Sequence, residues 1–152
     1  MKLKIAVCDD DLQWSERIRR SISEYMCHVN QQCDIQVFES GEELCSAFHG
    51  SHSFDIVFLD VDMDEMDGME TAEMIRSRSD QVTIVFITGV VEDAPRGYQY
   101  GAMRYIMKQD IEELLPECLG SFLKQYSGMD VSFNIKFLTG VENVNLSQLV
   151  YV

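Results

Sequence analysis

A chain of 152 residues, 46% hydrophobic and 25% charged, reads as one globular domain of ordinary size with a fragment attached, not as a disordered or fibrous segment. Its net charge of −14 weighs against a segment that itself grips nucleic acid phosphate, and its apolar runs fall far short of a membrane span. The 5 cysteines, without paired metal-type spacing, predict reduced thiols in a cytosolic protein, and the opening "MKLKIAVCDDD" lacks the apolar core and cleavage site of a secretory leader.

In chain order, "KLKIAVC" is a short β-rich run. Over 11–29 the apolar positions Ile18, Ile22, Tyr25, Met26 and Val29 share one helical face. "DIQVFES", "FDIVFLD", "VTIVFIT" and "MRYIMK" follow as further strands, the middle ones apolar throughout, as strands covered on both sides should be. Pro95 and Gly97 predict a short or frayed helix between the fourth and fifth strands. Leu115, Cys118, Leu119, Phe122, Leu123 and Tyr126 mark a last helix, which Pro116 should start near 115 or kink. Strands alternating with helices predict an α/β fold, a doubly wound five-stranded parallel sheet with helices on both faces.

After Gly128 the pattern changes. Val131, Phe133, Ile135 and Phe137 alternate and Thr139-Gly140 turns, which predicts a β-hairpin. The expected division is 1–127 as one domain and 128–152 as a linker with the opening strands of a truncated second domain.

The stretch "DIVFLDVDMDEMDGMETA" crowds Asp60, Asp62, Asp64, Glu65, Asp67 and Glu70 behind an apolar run. It is no EF-hand loop, because the turn glycine would fall on Glu65 and the closing glutamate on Thr71. In an open α/β sheet, ligands bind beyond the carboxyl ends of the strands. There the sequence places Asp9, Asp10 and Asp11 after the first strand, Asp60 after the third, Thr88 and Gly89 after the fourth, and Lys108 after the fifth. Asp10 and Asp60 could ligate Mg2+ directly and Asp9 through a water, while a carboxylate could hold a phosphoryl group. Taken singly, these residues have plainer uses. Asp11 reads as a helix cap, Lys108 as surface, and Asp64, Glu65 and Asp67 as solvated loop charges. Their convergence on one edge is what points to a site.

The pattern Asp9-Asp10, Asp60, Thr88 and Lys108 resembles the response-regulator receiver family over roughly residues 3–127. "MDGMETA" is similar to its loop into the third helix, and "YGAMRYIMK" to the segment carrying its switch aromatic, which falls on Tyr105. The resemblance implies a flavodoxin-like strand order, 2-1-3-4-5. It implies a phosphoryl group passing from a sensor histidine kinase to Asp60, with Mg2+ on Asp10, Asp60 and the backbone carbonyl of Asp62. Thr88 and Tyr105 would then move together, reshaping the face formed by the fourth helix, fifth strand and fifth helix, with homodimerisation on phosphorylation as one consequence. Where the family usually has proline, this chain has Asp64 and Gln109, so the peptide after Lys108 is expected to be trans or strained. The tail "NIKFLTGVENVNLSQLVYV" is similar to the start of a LytTR-type DNA-binding domain, which implies a transcription regulator whose DNA contacts lie in the missing part.

The enzymatic rival is a phosphatase resembling the haloacid dehalogenases, with Asp60 as nucleophile and Asp62 as general acid. That family puts its nucleophile strand first and its metal-binding acids last, the reverse of the order here.

Overall fold

The computed structural model describes residues 2–48, 53–89 and 98–138. Its elements run β1 (Leu3–Cys8), α1 (Leu12–His28), β2 (Cys33–Phe38), α2 (Gly41–Ser46), β3 (Ile56–Leu59), α3 (Gly68–Arg78), β4 (Thr83–Thr88), β5 (Arg104–Met107), a 3-10 turn over Lys108–Asp110, and α4 (Ile111–Leu138). The strands form one parallel sheet in the order β2-β1-β3-β4-β5. This is the doubly wound, flavodoxin-like arrangement expected. The chain steps outward from β1 to β2 and then back across to β3, so the order reverses beside β1 and opens a crevice at the strand ends.

Alternation along the strands sends side chains to two cores. Ala6, Cys8, Val57, Leu59, Ile84 and Phe86 pack with Leu44 and Phe48 and with Met69, Ala72 and Ile75 of α3. Ile5, Val7, Phe58, Val85 and Ile87 point the other way and are also buried, as are Ile18, Ile22 and Met26 on α1, which packs on β1 and β2. β3 is buried at all four positions, whereas the edge strand β2 is half-exposed.

Caps fix the helix starts near the crevice. Asp11 accepts a hydrogen bond from the Gln13 N–H at 3.0 Å, as expected of a helix cap. Asp67, read from the sequence as a solvated loop charge, instead forms a capping box with Glu70, its side chain accepting from Glu70 N–H at 2.9 Å while Glu70 accepts from Asp67 N–H at 3.0 Å. Gly68 then runs so close to β3 that a Cβ would overlap the Asp60 carbonyl oxygen and lie 2.7 Å from Val61 Cα.

Two expectations are corrected at the last helix. It begins at Ile111, not near 115, and Pro116 lies inside it. Ile111 and Leu115, one turn apart and both buried, hold the additional turn. The helix also continues to Leu138, through the run expected to form the first strand of a hairpin. A short apolar run fits either period. A strand requires a neighbouring edge for its backbone groups, while a helix satisfies most of its own. The expected turn at Thr139-Gly140 and everything after it lie outside the described residues, as do His49, His52, Pro95 and Gly97. The chain divides into two compact units, Met1–Pro116 and Glu117–Val152; the boundary expected at 127–128 falls within α4. None of the 5 cysteines forms a disulfide, and no described helix is long and apolar enough to cross a membrane.

Candidate functional site

Strand register brings the site together. Cys8 pairs with Leu59, so Asp9 and Asp60 leave neighbouring strands at the same height, and the Asp60 N–H donates to the Cys8 carbonyl at 2.9 Å. Thr88 pairs with Met107, which puts Lys108 immediately beyond the end of β4. An open pocket of about 350 Å³ is lined by Asp10, Asp11, Asp60, Asp62, Gly89 and Lys108. Among the described residues no acid following Lys108 lines it, so the dehalogenase-type arrangement gains no support.

Carboxylate oxygens of Asp9, Asp10 and Asp60 all lie within 4.8 Å of one another. Asp9 and Asp60 are buried, at 1% and 3% exposure, while Asp10 is open to solvent. The Lys108 ammonium sits 2.9 Å from Asp9 Oδ2 and 3.3 Å from Asp60 Oδ2. Toward Asp60 it donates a hydrogen bond. Toward Asp9 the contact is the shorter of the two, an ion pair that sets the ammonium against a buried carboxylate oxygen. Asp9 Oδ1 accepts from the Asp11 N–H at 2.9 Å, and Asp60 Oδ1 from the Asp62 N–H at 3.3 Å.

Burial pushes the Asp9 carboxyl up to about 6; the Asp11 N–H opposes this, the Asp60 charge adds to it, and Lys108 opposes it. For Lys108, burial works to lower the pKa, but Asp9 and Asp60 outweigh it and hold the ammonium above the ordinary lysine range. Lys108 is therefore charged at neutral pH. Three carboxylates face one ammonium, an excess of negative charge that suits a hard divalent cation.

The Lys108–Gln109 peptide is trans, and the lysine reaches both acids all the same. Thr88 ends β4 fully buried, and Gly89 beside it is exposed. Tyr105 is half-buried, its ring 5.8 Å from Phe86. Phe86 pairs with Tyr105 and Thr88 with Met107, so Thr88 and Tyr105 lie on the same sheet face. Asp62 is exposed at the pocket rim.

Two contacts were not legible in the sequence. Asp10 Oδ2 accepts from the Asp64 N–H at 3.2 Å, tying the ends of β1 and β3 together. Lys108 Nζ also lies 5.3 Å from the centre of the Trp14 ring. Both connect residues far apart in the chain, and neither belongs to a local motif.

Residues 5–118 match the family model described as the response regulator receiver domain. The response regulator protein VraR of Staphylococcus saprophyticus is 30% identical over 112 residues, covering 71% of this chain and 50% of VraR. Its counterpart in Staphylococcus epidermidis is 31% identical with the same coverage. The chain thus spans about half the length of the curated relatives it matches. Among solved structures, the response regulator DrrB of Thermotoga maritima is 26% identical with a TM-score of 0.64, over 83% of this chain and 54% of DrrB. The DrrB receiver domain activated by BeF3 is 27% identical with a TM-score of 0.64, over 82% of this chain and 99% of that one.

Proposed function

The chain belongs to the response regulator receiver family, and from that premise we propose that Asp60 accepts a phosphoryl group from the phosphohistidine of a sensor kinase with Mg2+ as cofactor. The observation that carries this reading is the meeting of Asp9, Asp10 and Asp60 within 4.8 Å, with the Lys108 ammonium between Asp9 and Asp60. The similar DrrB receiver domain is activated by BeF3, a compact anion of roughly phosphoryl size, which supports the same reading here.

The donor set fits Mg2+, a hard ion that takes one or two carboxylates and keeps several waters. Asp10, Asp60 and the Asp62 carbonyl would hold it directly, and Asp9, in the same cluster of carboxylates, through a water. Bound there, the ion neutralises charge on the phosphoryl oxygens. A carboxylate oxygen of Asp60 forms the new P–O bond while the P–N bond of phosphohistidine breaks and the imidazole leaves. Lys108 follows the charge from the carboxylate to a phosphoryl oxygen. The Thr88 hydroxyl and the Gly89 N–H donate to the remaining oxygens. Because Thr88 and Tyr105 share a sheet face, a shift at the phosphoryl group passes to half-buried Tyr105 on β5, where it biases a two-state element.

The output we assign is regulation of transcription through a LytTR-like DNA-binding part, read from the tail. With a net charge of −14, this chain itself is poorly suited to phosphate backbones. The carboxylates of Asp62 and Asp64 also draw cations and repel anions, so phosphoryl lifetime should respond to Asp62→Asn.

The test is incubation with acetyl phosphate and Mg2+. The reading expects a single stoichiometric phosphorylation that is absent in Asp60→Asn and blocked by chelator. Labelling that survives Asp60→Asn, or turnover of excess phosphate ester, would refute it.

A further inference from the structure

We propose that Trp14 is a positioning residue for Lys108, holding the ammonium over the acid cluster through the face of its indole; this rests on the phosphoacceptor reading above. Trp14 is the only tryptophan in the chain. It stands half-buried in the first turn of α1, just after the acid run that follows β1. The Lys108 Nζ lies 5.3 Å from the ring centroid, within cation–π range, and the Lys108 side chain is only 15% exposed. The Arg17 guanidinium also lies over this ring, 4.9 Å from its centroid, and is paired with Glu112 in the first turn of α4 at 3.1 Å.

The need for such a support lies in the division of the ammonium between two acids. Its contact with Asp9 is 2.9 Å and its bond to Asp60 a longer 3.3 Å, so neither carboxylate alone fixes where it rests. A flexible four-carbon stem carrying a point charge would otherwise sample many positions. The indole face attracts the charge without accepting a strong hydrogen bond, so it confines Lys108 without competing with a phosphoryl oxygen for its protons. A third carboxylate in that place would pair with the lysine and would also repel the incoming anion. Trp14 therefore restricts where the ammonium rests while leaving it free to donate.

The experiment compares wild type with Trp14→Leu, Trp14→Phe and Arg17→Ala, all as the full chain. It measures the acetyl phosphate-driven phosphorylation rate at saturating Mg2+, together with thermal unfolding. Losing the ring should slow phosphorylation about five-fold, the size of a partly desolvated cation–π contact. Trp14→Phe should recover most of the rate, and Arg17→Ala should leave it near wild type. The emission of the lone tryptophan should shift when beryllofluoride and Mg2+ are added, and this shift should be lost in Lys108→Ala. A rate in Trp14→Leu equal to wild type overturns the inference while leaving the phosphoacceptor reading intact. So does equal slowing in Trp14→Leu and Trp14→Phe that tracks lost thermal stability. An unlabelled wild type overturns both.

Discussion

At the end of β1, Asp9 carries a carboxyl raised by burial from 3.8 to about 6. Between about 4 and about 6 the folded chain binds more protons at Asp9 than the unfolded chain does, so this residue's contribution to stability falls as pH rises through that window. Asp9→Asn removes the titration. Its unfolding free energy relative to wild type should therefore improve by on the order of 2 kcal/mol from pH 4 to pH 6 and level off above about 7. Urea melts of both proteins without divalent metal check this; a flat difference would contradict it. A bound cation requires the ionised form, so Mg2+ affinity should fall as pH drops below about 6, as calorimetry can show. The carboxylates themselves were legible because residue type and strand-end position suffice to find them. The inequality between buried Asp9 and exposed Asp10 was not, since adjacent residues leave a strand in different directions.

Along the elements, α3 and the loop before it set the position of Asp60. The Gly68 N–H donates to the Val61 carbonyl at 2.8 Å, and no room remains for a Cβ against the Asp60 backbone. Gly68→Ala should destabilise the fold by about 2 kcal/mol or more and slow labelling of Asp60. Gly89 lines the same pocket, but among the described residues a Cβ there meets nothing within 4 Å. Gly89→Ala should retain stability and phosphorylation, because the proposed role belongs to the backbone N–H. In the loop between β3 and α3, Glu65 adopts a φ of 58°, in the left-handed region that glycine occupies without steric cost. Glu65→Gly should therefore stabilise by about 0.5–1 kcal/mol in thermal or urea unfolding, and a loss would contradict the strain. Strands such as Ile56–Leu59 were readable because burial on both faces demands a continuous apolar run. The run from Val131 to Phe137 misled because alternation over so few residues does not exclude a helix. The left-handed turn at Glu65 gave no signal, since no glycine or asparagine marks it.

For the molecule as a whole, the net charge of −14 means that folding gathers like charges against their repulsion. Raising monovalent salt from about 10 mM to about 150 mM shortens the screening length from about 30 Å to about 8 Å, so the melting temperature should rise. Mg2+ at matched ionic strength should raise it further if the folded site holds the ion as proposed, since a ligand of the folded state alone stabilises it. Asp60→Asn should blunt that second increment but not the first. The doubly wound parallel sheet and the edge carrying the site were foreseeable from alternation and right-handed crossovers, and the strand order from the family resemblance. The approach of Lys108 to Trp14 was not, because it joins residues far apart in the chain that no local motif connects. The most direct measurement treats the phosphorylated chain with borohydride, which reduces an acyl phosphate to an alcohol, and locates the reduced residue by peptide mass. The account predicts homoserine at position 60 alone; reduction at another acid, or phosphate that resists borohydride, would contradict it.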